Sequence, residues 1–309
     1  MKKLLFTLLS LIPLTIFGQI SVTKTADEKI ERIIKYDSLN NFLGKEFSNY
    51  IGQDLFLNPK AQVLRKYGYD DFKIDPKGKS YSSSNVYKKD DSSESNYDEL
   101  QNKVFEVLDV QDDPTSSFSD YAFLKLKFKE SDEIVYFRYS KKYSHSFPFT
   151  VMGYYNKMKQ LFVQNDVLIR DFKNSSAQNI IDIDTGEILD IVTDKYYKCI
   201  DITMNEKTYS LSLMLKTEQD NKFLFALSNR MNNIPRILLK EEAEKYKKNF
   251  GDNFWDAILR EVIKVGFTEE MTLLSWGKPK SINSSTSGDQ WVYSSQYVYF
   301  ENGILESWN

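Results

Sequence analysis

Histidine and cysteine are almost missing from this chain: His145 and Cys199 are the only ones in 309 residues. A structural zinc site needs four ligands and a catalytic one three, so a His/Cys zinc centre is excluded. A single cysteine forbids an internal disulfide, which leaves packing alone to hold the fold. Cys199 lies in the apolar run Tyr197–Ile202 and reads as a buried, inert thiol. His145 stands between Ser144 and Ser146. Adjacent residues do not aim at one another as nucleophile and base, and no G-x-S-x-G turn occurs in the chain. It reads as an ordinary linker histidine. Glycine loops of the phosphate-binding kind are also lacking.

Long apolar runs are absent after Phe17, so no later segment is expected to span a bilayer. An excess of positive charge is absent too. Without Lys2 and Lys3 the chain has 39 basic against 44 acidic residues, interspersed along the sequence. A nucleic-acid-binding face needs clustered cations to displace counterions, and none is visible.

What is present begins with Lys2 and Lys3, followed by an apolar run from Leu4 to Phe17 broken at Pro13. This is the pattern of a secretory signal over residues 1–18, with Gly18 before a mature start at Gln19. No cysteine follows the run, so no lipid anchor is expected. Residues 19–43 are expected to carry an N-terminal helix, with Ile30, Ile33 and Ile34 at helical spacing over 26–39.

The middle of the chain is rich in Tyr and Phe, which favour strands, and it repeats itself. Tyr50–Leu57 lies over Phe162–Ile169, Phe105–Val110 over Tyr197–Ile202, and Tyr121–Ser140 over Tyr209–Ser228, in the same order. This predicts two related β-rich units, 44–150 and 151–236. The first has extra residues in the polar stretch 80–102, read as a solvated loop. Four strands are predicted in each unit, those of the second at Asp166–Asp171, Tyr196–Met204, Tyr209–Lys216 and Lys222–Ser228. Leu211, Leu213 and Leu215 show the alternation of a half-buried strand. Closure into a small antiparallel barrel, or strong curling, would remove reactive edges. The strand order and length are similar to those of SH3-like barrels. Gly153–Phe162 permits a short bridging helix, and Leu238–Val262 reads as helix in two pieces stopped at Gly251.

The tail belongs to a third region, 237–309. Thr268 is a good N-cap, Gly277 and Pro279 stop the helix, and Asn302-Gly303 is a strong hairpin signal between aromatic strands. A helix over 268–276 and a three-stranded meander over 290–308 follow, with Trp276, Trp291 and Trp308 expected between them. The series Gly266-Phe-Thr-x-x-Met271, Leu274-x-x-Gly277-x-Pro279, Gln290-Trp-Val-Tyr293 and Tyr299-Phe-x-Asn-Gly303 resembles the SmpA/OmlA (BamE-like) module of exported bacterial envelope proteins. The resemblance covers about 262–309. It implies a helix-plus-sheet fold and a role in assembly or protein binding.

The fold class expected is therefore α+β, mainly β. No catalytic, cofactor-binding or metal residue is assigned, no cofactor is expected, and the binding residues stay unknown. Asp182, Asp184, Gly186 and Glu187 form part of a calcium-loop pattern, but the twelfth position is Thr193 rather than the bidentate Glu such a loop needs. A hairpin between Ile181–Ile183 and Ile188–Ile191 explains them. The expected function is an exported, non-catalytic binding or assembly protein of the bacterial envelope, periplasmic or extracellular, with an envelope protein or a cell-wall or extracellular glycan as partner. The alternatives are a glycan hydrolase using paired carboxylates and an inhibitor of a hydrolase.

Overall fold

The computed structural model describes residues 36, 38–78, 82–89, 94–116, 120–170, 180–192, 195–205, 207–227, 236–286 and 288–309. The signal segment 1–18 and most of the helix expected over 26–39 lie outside them. At 38–39 the chain bends instead of continuing a helix, with Ser38 at φ 63. The described residues form an α+β fold, mainly β, with three antiparallel sheets.

The first sheet holds β1 (Asp54–Leu57), β2 (Phe72–Lys73), β3 (Val104–Asp112), β4 (Tyr121–Phe128), β5 (Ile134–Ser140) and β6 (Phe149–Val151), in the order β2-β5-β4-β3-β1-β6. Short helices α1 (Gln62–Arg65) and α2 (Tyr97–Leu100) lie between β1 and β3. One face is apolar because β4 and β5 alternate: Ala122, Leu124 and Leu126 oppose Tyr139, Phe137 and Val135, and all six are buried. Phenylalanines fill the centre. Phe137 meets Phe149 at 5.0 Å and Phe72 at 5.3 Å between ring centroids, both edge to face.

Helix α3 (Met152–Phe162) follows β6 directly and leads into the second sheet. That sheet holds β7 (Asp166–Ile169), β8 (Tyr196–Asn205), β9 (Ser210–Lys216), β10 (Lys222–Ala226) and β11 (Ile237–Leu239), in the order β10-β9-β8-β7-β11. This order matches β5-β4-β3-β1-β6 strand for strand. The registers match as well. Leu55 opposes Phe105 and Val151 as Val167 opposes Tyr197 and Leu239. Both long strands bulge at the same place, between Val107 and Asp109 and between Cys199 and Asp201. In each bulge the aspartate Oδ1 accepts the next residue's N–H at 2.8 Å.

The third block needs a correction of one residue. Laid end to end, Tyr121–Ser140 over Tyr209–Ser228 sets Leu124 over Ser212. In the structure Leu126 opposes Val107 while Leu215 opposes Cys199, so Leu124 answers to Leu213. A slip of one would turn the apolar side chains to the wrong face. The shorter β9–β10 turn takes up the difference, and Phe137 and Phe225 realign at the next strand.

Among the described residues no closed barrel forms. The first sheet ends at β2 and β6 and the second at β10 and β11, with no pairing between ends. Edges are managed locally instead. Asn41 donates to Phe149 O at 2.7 Å and accepts from Val151 N–H at 2.8 Å, imitating a neighbouring strand beside β6. Val86 bridges Lys73 along the outer side of β2. The described residues of the stretch 80–102, namely 82–89 and 94–102, are accordingly no simple solvated loop. Val86, Tyr87, Ser95, Tyr97 and Leu100 are buried, and Asn96 caps α2 through Glu99 N–H. The apolar residues sit singly among polar ones, so composition hides their burial.

The remaining chain forms α4 (Lys240–Phe250), α5 (Asp252–Leu259), α6 (Glu269–Trp276) and a sheet of β12 (Ser281–Ser285), β13 (Gly288–Val292), β14 (Tyr297–Glu301) and β15 (Ile304–Trp308) in sequential order. Leu238 and Leu239, expected in helix, pair with β7 as part of β11. Gly251, at φ 77, separates α4 from α5, which begins at Asp252. The meander has four strands, not three. β12 is Ser-Ile-Asn-Ser-Ser, exposed throughout, and carries no apolar alternation to announce it.

Candidate binding face

Helices α5 and α6 cover one face of the tail sheet. Thr268 Oγ1 accepts Met271 N–H at 3.2 Å and starts α6; Gly277, at φ 76, ends it. Trp291, Val298, Phe300 and Leu305 point at Ile258, Phe267, Met271 and Leu274 in one core. Trp291 is 3% exposed, and Trp276 is half-buried with its Nε1 donating to Glu261 O at 3.0 Å. Trp308 is 42% exposed, contrary to expectation. It sits at the end of the edge strand, beyond a bulge, and Leu305 fills the core position on that strand. Arg170, at the end of β7, locks this core to the second sheet. Its guanidinium is fully buried and donates to Ile258 O and Leu274 O at 2.5 Å each. Both carbonyls lie in the last turns of helices, where a cation complements the dipole.

The opposite face of the tail sheet carries an ordered polar row. Asn283, Gln290, Tyr299 and Ser307 lie opposite one another across the four strands. Asn283 Nδ2 donates to Gln290 Oε1 at 2.9 Å, and Gln290 Nε2 donates to the Tyr299 hydroxyl at 3.1 Å. The next row is Ser281, Val292 and Tyr297, with Tyr297 44% exposed. Neither row holds a charged side chain, although 28% of the chain is charged. The row leaves the Tyr299 O–H, one Gln290 N–H and the Asn283 Oδ1 for outside partners. Fixed in advance by their neighbours, these groups lose little freedom on binding.

A second group sits at the rim of the first sheet. Arg138 Nε donates to Asp113 Oδ2 at 2.7 Å and its guanidinium lies 3.9 Å from the Tyr121 ring centroid. Burial opposes ionisation of Asp113, but hydrogen bonds from Arg138 and Thr115 hold its carboxyl below the usual range. Asp71, at φ 69, accepts Arg138 N–H through its own carbonyl at 2.8 Å. Burial pushes the Asp71 carboxyl up, against the pull of Arg138 and Lys73. Burial pushes Glu94 up as well, helped by the charges of Asp70 and Asp71. Lys73 is 6% exposed and makes no ion pair within 4.0 Å among the described residues. Two carboxyl groups raised by burial, both under the influence of the Lys73 charge, are a combination that acid–base chemistry uses.

The residues singled out from sequence stay apart from both groups. His145 is exposed in a single turn, its ring tilted at 42° to that of Tyr143 with centroids 5.4 Å apart, while Ser146 Oγ donates to Tyr143 O. Cys199 is buried, and burial pushes its thiol up to about 11. Asp182 Oδ1 accepts the N–H groups of Asp184 and Thr185 at 2.7 and 3.0 Å, turning the hairpin that joins Ile181 to Ile188. Those amides hold its carboxyl below the usual range. No group of three or more His, Cys, Asp or Glu side chains placed to hold a metal occurs among the described residues. Neither the polar row nor the Asp71–Glu94 group was visible in sequence. Alternation in Gln290–Val292 and Tyr297–Phe300 could have placed Gln290 and Tyr299 on one face, but Asn283 needed β12 to be recognised.

No family model matches the chain, and neither a curated protein nor a solved structure matches it.

Proposed function

We propose that this is an exported, non-catalytic binding protein of the bacterial envelope or exterior, which holds a macromolecular partner on the open face of its tail sheet. The observation that carries the reading is the hydrogen-bonded row Asn283–Gln290–Tyr299, uncharged and uncovered. Amide and phenol groups suit hydroxyl groups, and the Tyr297 and Tyr299 rings offer apolar faces. A neutral cell-wall or extracellular glycan is thus the partner we put first, and an uncharged patch of an envelope protein second. The Lys2–Lys3 start and the apolar run support export. No helix of the described residues is long and apolar enough to cross a membrane. The resemblance of 262–309 to the SmpA/OmlA module supports an envelope setting. The shared strand order of the two larger sheets supports a duplicated β unit in front of that tail. The test is a panel of neutral polysaccharides offered to the mature protein, with bound fraction measured for the native chain and Tyr299→Ala. Binding that the substitution weakens about tenfold supports the proposal; no binding to any neutral glycan removes the glycan version.

A second reading rests on Asp71 and Glu94. Both carboxyl groups are raised by burial, and the Asp71 charge acts on Glu94, as a pair of acid–base groups in a glycan hydrolase would require. Release of reducing ends that Asp71→Asn or Glu94→Gln stops would move the protein to that class.

A further inference from the structure

The first strand of each larger sheet is covered on both sides. β1 lies between β3 and β6, and β7 between β8 and β11. The tail repeats the plan of a helix followed by a four-stranded meander, α6 then β12 to β15. Here the first strand, β12, pairs with β13 on one side only, and no described segment pairs with the other. The far edge of the tail sheet is occupied, since Gly266 N–H and Leu305 N–H exchange hydrogen bonds with Leu305 O and Phe267 O. So the one position left open in the tail is the one that an antiparallel strand fills in both other sheets.

Beyond Pro279 and Lys280 at its start, the β12 edge lacks the usual defences. It has five exposed residues with no lysine, proline or bulge. Asn41 shields the outer side of β6 with its amide; β12 has no such cover among the described residues. Its sequence is self-complementary. Antiparallel pairing with itself about Asn283 sets Ile282 against Ser284 and Ser281 against Ser285, and no charge meets a like charge. Asn283 spends one N–H on Gln290. Its Oδ1 and second N–H make no further hydrogen bond among the described residues, and an identical amide could satisfy both reciprocally.

We propose that the β12 edge is the interface of a two-fold dimer, in which β12 pairs with a second copy of itself. The two tail sheets then run on as one sheet of eight strands, and the polar row runs through the axis by an Asn283 to Asn283 contact. Ile282, 51% exposed in the single chain, gains cover at the join. The interface is isologous, as a closed dimer requires.

The test is the mass of the full mature chain in solution by light scattering and sedimentation across a concentration series. The native protein is expected to dimerise. Asn283→Lys sets two ammonium groups against each other on the axis and should weaken the dimer roughly tenfold or more. It alters an exposed side chain, so circular dichroism should show an unchanged fold. Asn283→Cys supplies an independent readout. Directly opposed residues in antiparallel strands lie about 4.5–5.5 Å apart at Cα, within disulfide reach. This variant should cross-link to itself on mild oxidation, while buried Cys199 does not compete. A monomer at every concentration overturns the proposal. So does a dimer that Asn283→Lys leaves intact and Asn283→Cys fails to cross-link. If a segment of the same chain fills the edge, Asn283→Lys lowers the melting temperature of a monomer, and the proposal fails equally.

Discussion

Arg170 is the residue on which the joint between the second sheet and the tail core depends. It is fully buried, and it supplies donors to two helix carbonyls that nothing apolar could satisfy. Arg170→Met keeps most of the volume and removes both donors. It should destabilise by about 1–3 kcal/mol, because Leu274 O loses its partner while Ile258 O keeps the Glu261 N–H at 3.1 Å; chemical denaturation measures this. The carboxylates of the first sheet have opposite signs. Asp113 is held below its usual range in the fold. Its contribution is therefore fully present above the unfolded value, about 3.9, and is lost as pH falls through the lower folded value. Asp71 is raised, so its carboxylate costs stability at neutral pH, and the cost disappears at acid pH. Asp71→Asn should stabilise the protein at pH 7 and make no difference well below the unfolded value, whereas Asp113→Asn should destabilise it at pH 7. Thermal melts across pH separate the two. A stabilising Asp71→Asn marks a residue kept at the expense of stability, as functional groups often are.

Elements with strong periodicity were legible in the sequence, and those without it were not. β4, β5, β8 and β9 announce themselves by alternation, and α6 by Thr268 and Gly277, whose cap and stop the structure reproduces. β12 has no apolar residue but Ile282, so only its pairing with β13 defines it. Arg170 and Asp71 were equally silent, because what matters about each is a partner about a hundred residues away or a burial no local pattern encodes. The tryptophans show the same limit. Trp291 and Trp308 both lie in alternating strands, yet one fills the core and the other caps a strand end. Trp291→Ala should cost about 3–5 kcal/mol, and Trp308→Ala about 1 kcal/mol or less. The difference is read in the unfolding midpoints of the two variants. Equal losses would mean that Trp308 is packed in solution.

At the scale of the molecule, two sheets of the same strand order and register precede a shorter tail of similar plan. The matched bulges at Asp109 and Asp201, each with the same aspartate-to-amide bond, are hard to reach by chance strand composition. The second is tied to α3 as well, through Lys159 at 2.9 Å. The difference between the two units lies in 58–103, where the Asp71–Glu94 group arises, and the tail differs by its open polar face. The two proposed readings, binding and hydrolysis, therefore point to separate places, which one measurement can tell apart. Equilibrium binding to an insoluble neutral glycan should be compared for the native chain, Tyr299→Ala and Asp71→Asn, with reducing ends counted in the same tubes. The account predicts that Tyr299→Ala loses binding by about tenfold, as a stacked ring worth roughly 1.4 kcal/mol would, that Asp71→Asn retains it, and that no reducing ends appear. Binding indifferent to Tyr299, or reducing ends released by the native chain and lost with Asp71→Asn, would contradict it.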